Sequence, residues 1–341
     1  MRILLVSQMY PSPAAPDLGA FVALVERELT AQGHEVRRAV IDHRGGAPTK
    51  HAGLLKDAVL EARRFGPEVI YAHFLVSAGA VAAIAAASGG APLVVTAHGT
   101  DVLNAEGSAV LRAITGMTVR RAAAVIAVSQ HLADRLARVV PAAQPKMSVI
   151  NCGVDLAVFS PRDAAQARAE VGWTGDGPFV VCAGSLEERK NVMRLTEAFA
   201  RLGRGQLAFV GDGSLRDAVA TRPGVRVTGR IPHEDVAAWL AAADVVAQPS
   251  LAEPFGQVTL EGMAMARSVL ATRVGGPPEF VPPAAGVLID PERTDDVERG
   301  LRAALELPCP NPAARAAALE HGSAAQAARI ADVLQRAVSA G

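Results

Sequence analysis

Residues 245–261 read Val245-Val-Ala-Gln-Pro-Ser-Leu-Ala-Glu253-Pro-Phe-Gly-Gln-Val-Thr-Leu-Glu261. The first four residues are a mostly apolar run of strand length, and a Pro-containing turn separates them from the opening turn of a helix. The Pro-Phe-Gly turn can let backbone N–H groups converge, and a helix N-terminus favours an anion there. Glu253 and Glu261 lie on either side of that point. The stretch predicts a site for an anionic, hydroxyl-rich ligand, or simply a loop and a surface helix with two solvated glutamates.

Outward from this stretch, short apolar runs alternate with longer patterns of helical period through both halves of the chain. Such alternation predicts parallel sheets covered by helices on both faces. The predicted fold class is therefore α/β, with two facing Rossmann-like domains. The strand candidates are residues 3–7, 36–41, 69–73, 93–97, 125–128 and 147–150, then 179–183, 207–210, 225–228, 245–248, 269–272 and 286–289.

A domain boundary is expected at Asn151-Cys152-Gly153-Val154-Asp155, because a new strand–helix series begins about twenty-five residues later. This predicts domains at residues 1–152 and 153–322, with a terminal helix at residues 323–341. The uncharged run at 76–97 is broken by Ser88-Gly89-Gly90-Ala91-Pro92 and fits a helix, a turn and a strand better than a membrane span.

Composition narrows the class of partner and the compartment. Lys plus Arg and Asp plus Glu both number 34 in 341 residues, so no nucleic-acid partner is suggested. The three cysteines have neither metal-ligand nor redox spacing, and reduced thiols in a cytosol are the simplest interpretation. No metal site is expected. The first strand is not followed by GxGxxG, which argues against a dinucleotide oxidoreductase. The first apolar run is too short for a signal peptide, and we expect a cytoplasmic protein.

The pattern Glu253-x-Phe-Gly-x₄-Glu261, preceded by Pro249-Ser250, resembles the signature of retaining, nucleotide-sugar-dependent glycosyltransferases of the GT-B fold, family 4 type. The resemblance implies an N-terminal acceptor-side domain, a C-terminal nucleotide-sugar-binding domain and a last helix that crosses back to the first. It implies transfer of a hexosyl group from a UDP- or GDP-linked sugar to a hydroxyl acceptor, with retention by front-face attack. A UDP-sugar is favoured, and no tightly bound cofactor is implied.

The same resemblance implies roles for individual residues. Glu253 binds hydroxyls of the donor sugar, and Lys190 neutralises the leaving diphosphate. His98, in His98-Gly99-Thr100-Asp101, hydrogen-bonds a sugar hydroxyl or the diphosphate. The catalytic candidates are Glu253, His98 and Lys190. Glu261 binds the ribose diol, which suits a carboxylate that accepts two O–H bonds. The other donor-binding positions are Gly19, Gly184, Ser185, Arg189, Gly229, Arg230, Ile231, Pro254, Phe255, Gly256, Gln257 and Val258.

Two positions depart from the family pattern. Ser185 stands where the family carries an Arg. Three interpretations are open: Arg189 replaces that cation, phosphate binding is weaker, or turnover has been lost. Leu18 stands where a second loop glycine is usual, beside Gly19, and that loop could equally be a flexible connection with a helix N-cap. A non-catalytic nucleotide-sugar-binding protein and a GT-B-fold nucleotide-sugar epimerase therefore stay open as alternatives.

Acceptor-side residues are less distinct. Three residues near strand ends are candidates: His73, Asp101 and Ser129. Structural roles explain them as well, with His73 as a buried histidine, Asp101 as a capping residue and Ser129 as a helix N-cap. A peripheral membrane contact by a basic helical face is the alternative to a solvated surface. The arginines that would form that face are Arg112, Arg120, Arg121, Arg135 and Arg138.

Overall fold

A computed structural model describes residues 1–45 and 49–340. The chain divides into two compact units. Unit 1 comprises Met1–Gly153 and Ser323–Gly341, and unit 2 comprises Val154–Gly322.

Unit 1 begins as an alternation of strands and helices. Its elements are β1 (Arg2–Ser7), α1 (Ala20–Ala31), β2 (Glu35–Val40), α2 (Thr49–Phe65), β3 (Val69–His73), α3 (Ser77–Gly89), β4 (Leu93–Ala97), α4 (Thr100–Gly107), α5 (Ala109–Arg121), β5 (Ala124–Ala127), α6 (Gln130–Val139), a 3₁₀ turn (Pro141–Lys146) and β6 (Met147–Val149).

Unit 2 repeats the alternation, and the chain then returns to unit 1. The elements are α7 (Ala164–Glu170), β7 (Phe179–Ala183), a 3₁₀ turn (Glu188–Lys190), α8 (Val192–Ala200), β8 (Gln206–Val210), α9 (Arg216–Ala220), β9 (Val225–Val227), α10 (His233–Ala242), β10 (Val245–Gln248), α11 (Gln257–Ala264), β11 (Ser268–Thr272), a 3₁₀ turn (Pro277–Glu279), β12 (Gly286–Ile289), α12 (Thr294–Leu305), α13 (Pro312–Leu319) and finally α14 (Ser323–Ser339) in unit 1.

Each unit is built on one parallel sheet. Within the described residues, the six strands of unit 1 lie in the order β2-β1-β3-β4-β5-β6, and those of unit 2 in the order β12-β11-β10-β7-β8-β9. All neighbouring strands pair in parallel. The central strands β3, β4, β7, β10 and β11 are buried along their whole length, as sheets covered on both faces require. The predicted α/β class with Rossmann-like sheets is confirmed.

The strand order fixes where ligands can bind. In unit 2 the chain runs outward from β7 to β9, then restarts at β10 on the other side of β7. In unit 1 the corresponding reversal lies between β1 and β3. Open parallel sheets bind ligands at the carboxyl ends of the strands beside such a reversal. The loops after β7 and β10, and those after β1 and β3, are therefore the positions to search for a site.

The predicted helix, turn and strand at 76–97 are confirmed by α3 and β4, which are separated by Gly90 with a left-handed φ of 78°. Helix α13 was not predicted from the sequence. Its signal was present, because Asn311 accepts a hydrogen bond from the backbone N–H of Ala314 and Pro312 occupies the first helical position. No helix in residues 1–45 and 49–340 combines the length and apolar character needed to cross a membrane.

One close backbone approach holds the loop after β7. A Cβ on Gly211 would lie 1.9 Å from the carbonyl oxygen of Gly184, and Gly211 has a φ of 151°. The N–H of Gly184 donates to the carbonyl of Val210 at 2.9 Å. Only glycine allows the β7 and β8 loops to run this close together.

Candidate functional site

Two loops meet beside the strand-order reversal of unit 2 and are joined by hydrogen bonds. The N–H of Leu251 donates to the carbonyl of Arg189 at 2.9 Å. The side chain of Asn191 donates to the carbonyls of Pro249 and Pro291 at 3.0 and 2.7 Å. Asn191 takes a left-handed φ of 58°, which Asn tolerates better than most residues. The loop that carries Lys190 is therefore fixed to the loop that carries Glu253.

Lys190 and Glu253 form an ion pair at the centre of this arrangement. The Lys190 Nζ lies 2.6 Å from Glu253 Oε2, and the two side chains are only 16% and 12% exposed. The Ser250 hydroxyl donates to the same carboxylate oxygen at 2.9 Å. Burial alone would raise the pKa of Glu253. The charge and hydrogen bond of Lys190, with Ser250 and the charge of Arg189, outweigh burial and lower that pKa. The carboxylate is thus held ionised.

The backbone of Glu253 is clamped as well. Its N–H donates to the carbonyl of Val274 at 3.0 Å, and its carbonyl accepts from the N–H of Gly276 at 2.9 Å. A Cβ on Gly275 would lie 1.9 Å from the Glu253 carbonyl oxygen. The glycine turn after β11 therefore positions the carboxylate without having to contact a ligand.

The turn Pro254-Phe255-Gly256 leads directly into α11. Gly256 is the N-cap residue, with a left-handed φ of 106°, and as a glycine it has no side chain with which to cap this helix. Phe255 packs against Phe280 with 5.1 Å between ring centroids, which anchors the turn. Helix N-termini favour anions, and the anion contact predicted at Gln257 and Val258 stays a prediction.

Arg189 reaches toward the position where the family pattern has an arginine. Its guanidinium donates to the Ser185 hydroxyl at 3.0 Å and to Glu187 at 2.9 Å. It is also close enough to Glu253 to help lower the pKa of that carboxylate. Gly184, just before Ser185, is exposed and has a φ of 129°. A guanidinium thus stands beside residue 185 although residue 185 is a serine.

Glu261 has a partner that the sequence analysis missed. It lies within α11 with its side chain 1% exposed, and its Oε1 is 2.9 Å from His233 Nε2. Burial lowers the pKa of His233, but the charge and hydrogen bond of Glu261, with the charges of Glu234 and Asp155, outweigh it and raise that pKa. His233 begins α10 two residues after Ile231, so its place next to the predicted donor-binding positions 229–231 was the available signal.

The loop after β9 holds the remaining predicted donor residues. Gly229 is buried with a φ of 77°, and Ile231 is half-buried. The Arg230 side chain points to Asp212, 3.6 Å away, so it is tied to the turn after β8. A donor-binding role for this loop stays a prediction.

In unit 1, His98 follows β4 and is half-buried. The carboxylate of Asp101 accepts hydrogen bonds from the backbone N–H groups of Leu75, His98, Gly99 and Val102. Burial raises the pKa of Asp101, and these bonds oppose the rise. Asp101 therefore holds the His98 loop at the start of α4.

Two other acceptor-side candidates are also engaged within unit 1. His73 has no exposed surface and contacts His98. Ser129 is buried and accepts from the N–H of Leu132, which makes it the N-cap residue of α6. Acceptor roles for these residues stay predictions.

Gly19 has a structural reason to be glycine. It is the N-cap residue of α1 with a left-handed φ of 68°, and a Cβ there would lie 2.7 Å from the carbonyl atoms of Met9. Its predicted phosphate contact remains a prediction.

The arginines of the expected basic face differ in their surroundings. Arg112 donates to the carbonyls of Ala105 and Glu106, and Arg135 forms an ion pair with Glu106. Arg120 and Arg121 are exposed at the end of α5. Among the described residues, no group of three or more His, Cys, Asp or Glu side chains could hold a metal ion.

Sequence comparison assigns both units. Residues 18–158 match Glycosyltransferase Family 4, and residues 177–306 match Glycosyl transferases group 1. D-inositol 3-phosphate glycosyltransferase 1 of Catenulispora acidiphila is 35% identical over 288 residues, which cover 75% of this chain and 68% of that protein.

Solved structures share the fold. Sucrose-phosphate synthase of Thermosynechococcus elongatus has a TM-score of 0.85 at 22% identity, with full coverage of both chains. Anabaena HepE, solved in complex with UDP-glucose, has a TM-score of 0.78 at 22% identity over 98% of this chain and 100% of that chain. Both likenesses concern the fold alone. The two parallel sheets and the solved structures show the GT-B fold. The two matched segments and the relative show that this chain is a glycosyltransferase and belongs to glycosyltransferase family 4.

Proposed function

We propose that this glycosyltransferase moves a hexosyl group from a nucleoside-diphosphate sugar, with a UDP-sugar favoured, to a hydroxyl acceptor with retention of configuration. The observation that carries the proposal is the grouping of Lys190, Arg189 and Glu253 at the strand-order reversal of unit 2, next to the N-terminus of α11. A diphosphate needs cations and N–H donors, and a sugar needs a fixed carboxylate. This one place supplies all three.

In the proposed reaction, the N-terminus of α11 binds the distal phosphate and Glu253 hydrogen-bonds hydroxyls of the sugar. Lys190 has three N–H donors, so it can keep its bond to Glu253 while it contacts the diphosphate. As the bond between the anomeric carbon and the phosphate oxygen breaks, negative charge grows on the diphosphate and Lys190 stabilises it. The acceptor hydroxyl attacks from the same face, and its proton passes to the leaving phosphate oxygen.

The donor is identified by a thermal-shift panel of UDP, ADP and GDP and of UDP-glucose, UDP-N-acetylglucosamine, ADP-glucose and GDP-mannose. We expect the uridine compounds to raise the Tm most. UDP release from UDP-glucose is then measured with and without D-inositol 3-phosphate as a first acceptor, and the product anomer is determined by NMR. Because the proposed diphosphate site consists of cations and backbone amides, UDP release from UDP-glucose is expected to persist in EDTA. Complete loss in EDTA that magnesium restores would overturn this view of the diphosphate.

Glu261 and Glu253 are expected to act on different parts of the donor. Glu261→Gln removes the charge beneath the ribose diol, and we expect UDP affinity to fall about 10-fold, since a hydrogen bond to a charged group contributes about 1.5–3 kcal/mol. Glu253→Gln should lower turnover without weakening UDP binding, because UDP lacks the sugar and Lys190 stays available to its diphosphate. Calorimetry and UDP release measure the two effects. The exposed Glu188→Gln is the control, and normal binding and turnover in both variants would refute the two roles.

Arg189 is proposed to supply the cation that Ser185 does not. Arg189→Ala should lower turnover about 10-fold, as expected when an exposed cation near the diphosphate is lost. The exchange Ser185→Arg with Arg189→Ala should restore most of it, because the guanidinium then starts from residue 185. Glu187→Ala, which frees Arg189 from its other partner, is the control and should not reduce turnover. If Arg189→Ala retains full turnover, a non-catalytic surface arginine explains the contact with Ser185.

The His233–Glu261 pair should make stability depend on pH. Because the pKa of His233 is raised in the folded protein, the pair stabilises the fold fully below about pH 6.5, and this stabilisation is lost as pH rises through the raised pKa. Relative to His233→Asn, the protein should therefore be more stable at pH 6, and the difference should shrink by pH 9. Urea unfolding across this range measures it. His43→Asn, at an exposed histidine 3.3 Å from Asp42, is the control. A difference independent of pH would show that His233 contributes only packing.

A further inference from the structure

His98 is held by a second histidine. The Nδ1 of His73, the last residue of β3, lies 3.0 Å from Nε2 of His98, which follows the neighbouring strand β4. The two rings are nearly parallel, with an interplanar angle of 19°. His73 has no exposed surface, so it cannot itself line an open site. Its contact with His98 is the feature that remains to be explained.

One proton lies between these two nitrogens, and it can belong to either ring. If His73 carries the proton on Nδ1, the Nε2 of His73 is unprotonated and can only accept a hydrogen bond. If His98 carries it on Nε2, His73 must be protonated on its own Nε2. That atom is buried and has no hydrogen-bond partner among the described residues. Buried N–H groups without a partner are rarer than under-used acceptors, so the first arrangement is favoured.

The surroundings keep both rings neutral and fixed. His98 packs against the rings of Phe21 and Phe74, at 4.7 and 4.6 Å between centroids. Burial lowers the pKa of His73 to about 3. Burial also lowers the pKa of His98, and repulsion from a protonated His73 would lower it further. The titratable neighbours on the packed elements are Tyr71, whose hydroxyl bonds Thr96, and Asp101, whose oxygens accept from the backbone. Neither faces the pair as a counter-charge.

We propose that His73 is a positioning residue that fixes the tautomer of His98. With the His73 Nδ1–H donated to His98 Nε2, His98 carries its own proton on Nδ1. None of the described residues is hydrogen-bonded to that nitrogen. His98 therefore presents a hydrogen-bond donor, and its target is an oxygen of the donor sugar or diphosphate. This consequence rests on the proposed function, whereas the tautomer does not.

The tautomer is measured without any substrate. Long-range ¹H–¹⁵N correlation spectra of the ¹⁵N-labelled full chain report which nitrogen of each imidazole is protonated, and His98→Asn assigns the His98 signals. We expect His98 protonated on Nδ1 in the unaltered protein and a tautomer mixture in His73→Phe, which keeps a ring but has no donor. His98 protonated on Nε2 in the unaltered protein overturns the proposal, as does an unchanged tautomer in His73→Phe.

Turnover tests the consequence. In UDP release from UDP-glucose, His73→Phe should lose about 10-fold in kcat, because a misaligned hydrogen bond of about 1.4 kcal/mol corresponds to that factor. His73→Asn should recover most of it, since the Asn amide can donate from near the Nδ1 position. Tyr71→Phe, a buried change on the same strand, is the matched control and should stay within about 2-fold. Equal losses in all three variants would show a general packing effect and overturn the positioning role.

Failure of the proposed function looks different. If His98→Asn and His73→Phe both release UDP at the normal rate while the tautomer changes as expected, His98 does not contact the donor and the tautomer assignment stands.

Discussion

The candidate site depends on one buried interaction, the ion pair of Lys190 and Glu253. The two side chains are only 16% and 12% exposed, so each charge is largely removed from water. Removing one member of such a buried pair destabilises the fold by about 3–5 kcal/mol, because the other charge is left without a partner. The loops after β7, β10 and β11 therefore have to be arranged so that the pair forms. The bonds through Asn191, Leu251, Val274 and Gly276 are the means. Their joint effect is a carboxylate held by hydrogen bonds at both its backbone and its side chain.

The same pair balances part of the positive charge of Lys190 within unit 2. A second cation, Arg189, has a side chain that is 58% exposed, and its guanidinium donates to Ser185 and Glu187. The buried cation sets geometry and the exposed cation adds charge. This division explains how a loop with a serine at residue 185 can still present two positive groups.

The fold was predictable because its signal is local. Runs such as 179–183 and 245–248 have the length of strands buried on both faces, and the helical patterns between them indicate parallel pairing. The Glu253 and Glu261 positions were predictable because the whole motif lies within one turn and one helix. The contacts of His233 with Glu261 and of His73 with His98 were not predictable, because the partners are 28 and 25 residues apart and only the tertiary structure brings them together. The helix α13 was missed although Asn311-Pro312 marks its start, because Pro308 and Pro310 interrupt the helical pattern just before it.

The two close glycine approaches, Gly211 beside Gly184 and Gly275 beside Glu253, have a consequence for how variation in this chain should be interpreted. Any side chain at either residue would have to pass through a neighbouring carbonyl oxygen 1.9 Å away. In a saturation screen for activity, both positions would score as intolerant as the carboxylate itself. Neither supplies a side chain to the chemistry. Sensitivity to substitution would then map the scaffold that holds the loops, and a census of intolerant residues would overstate the number that touch a substrate.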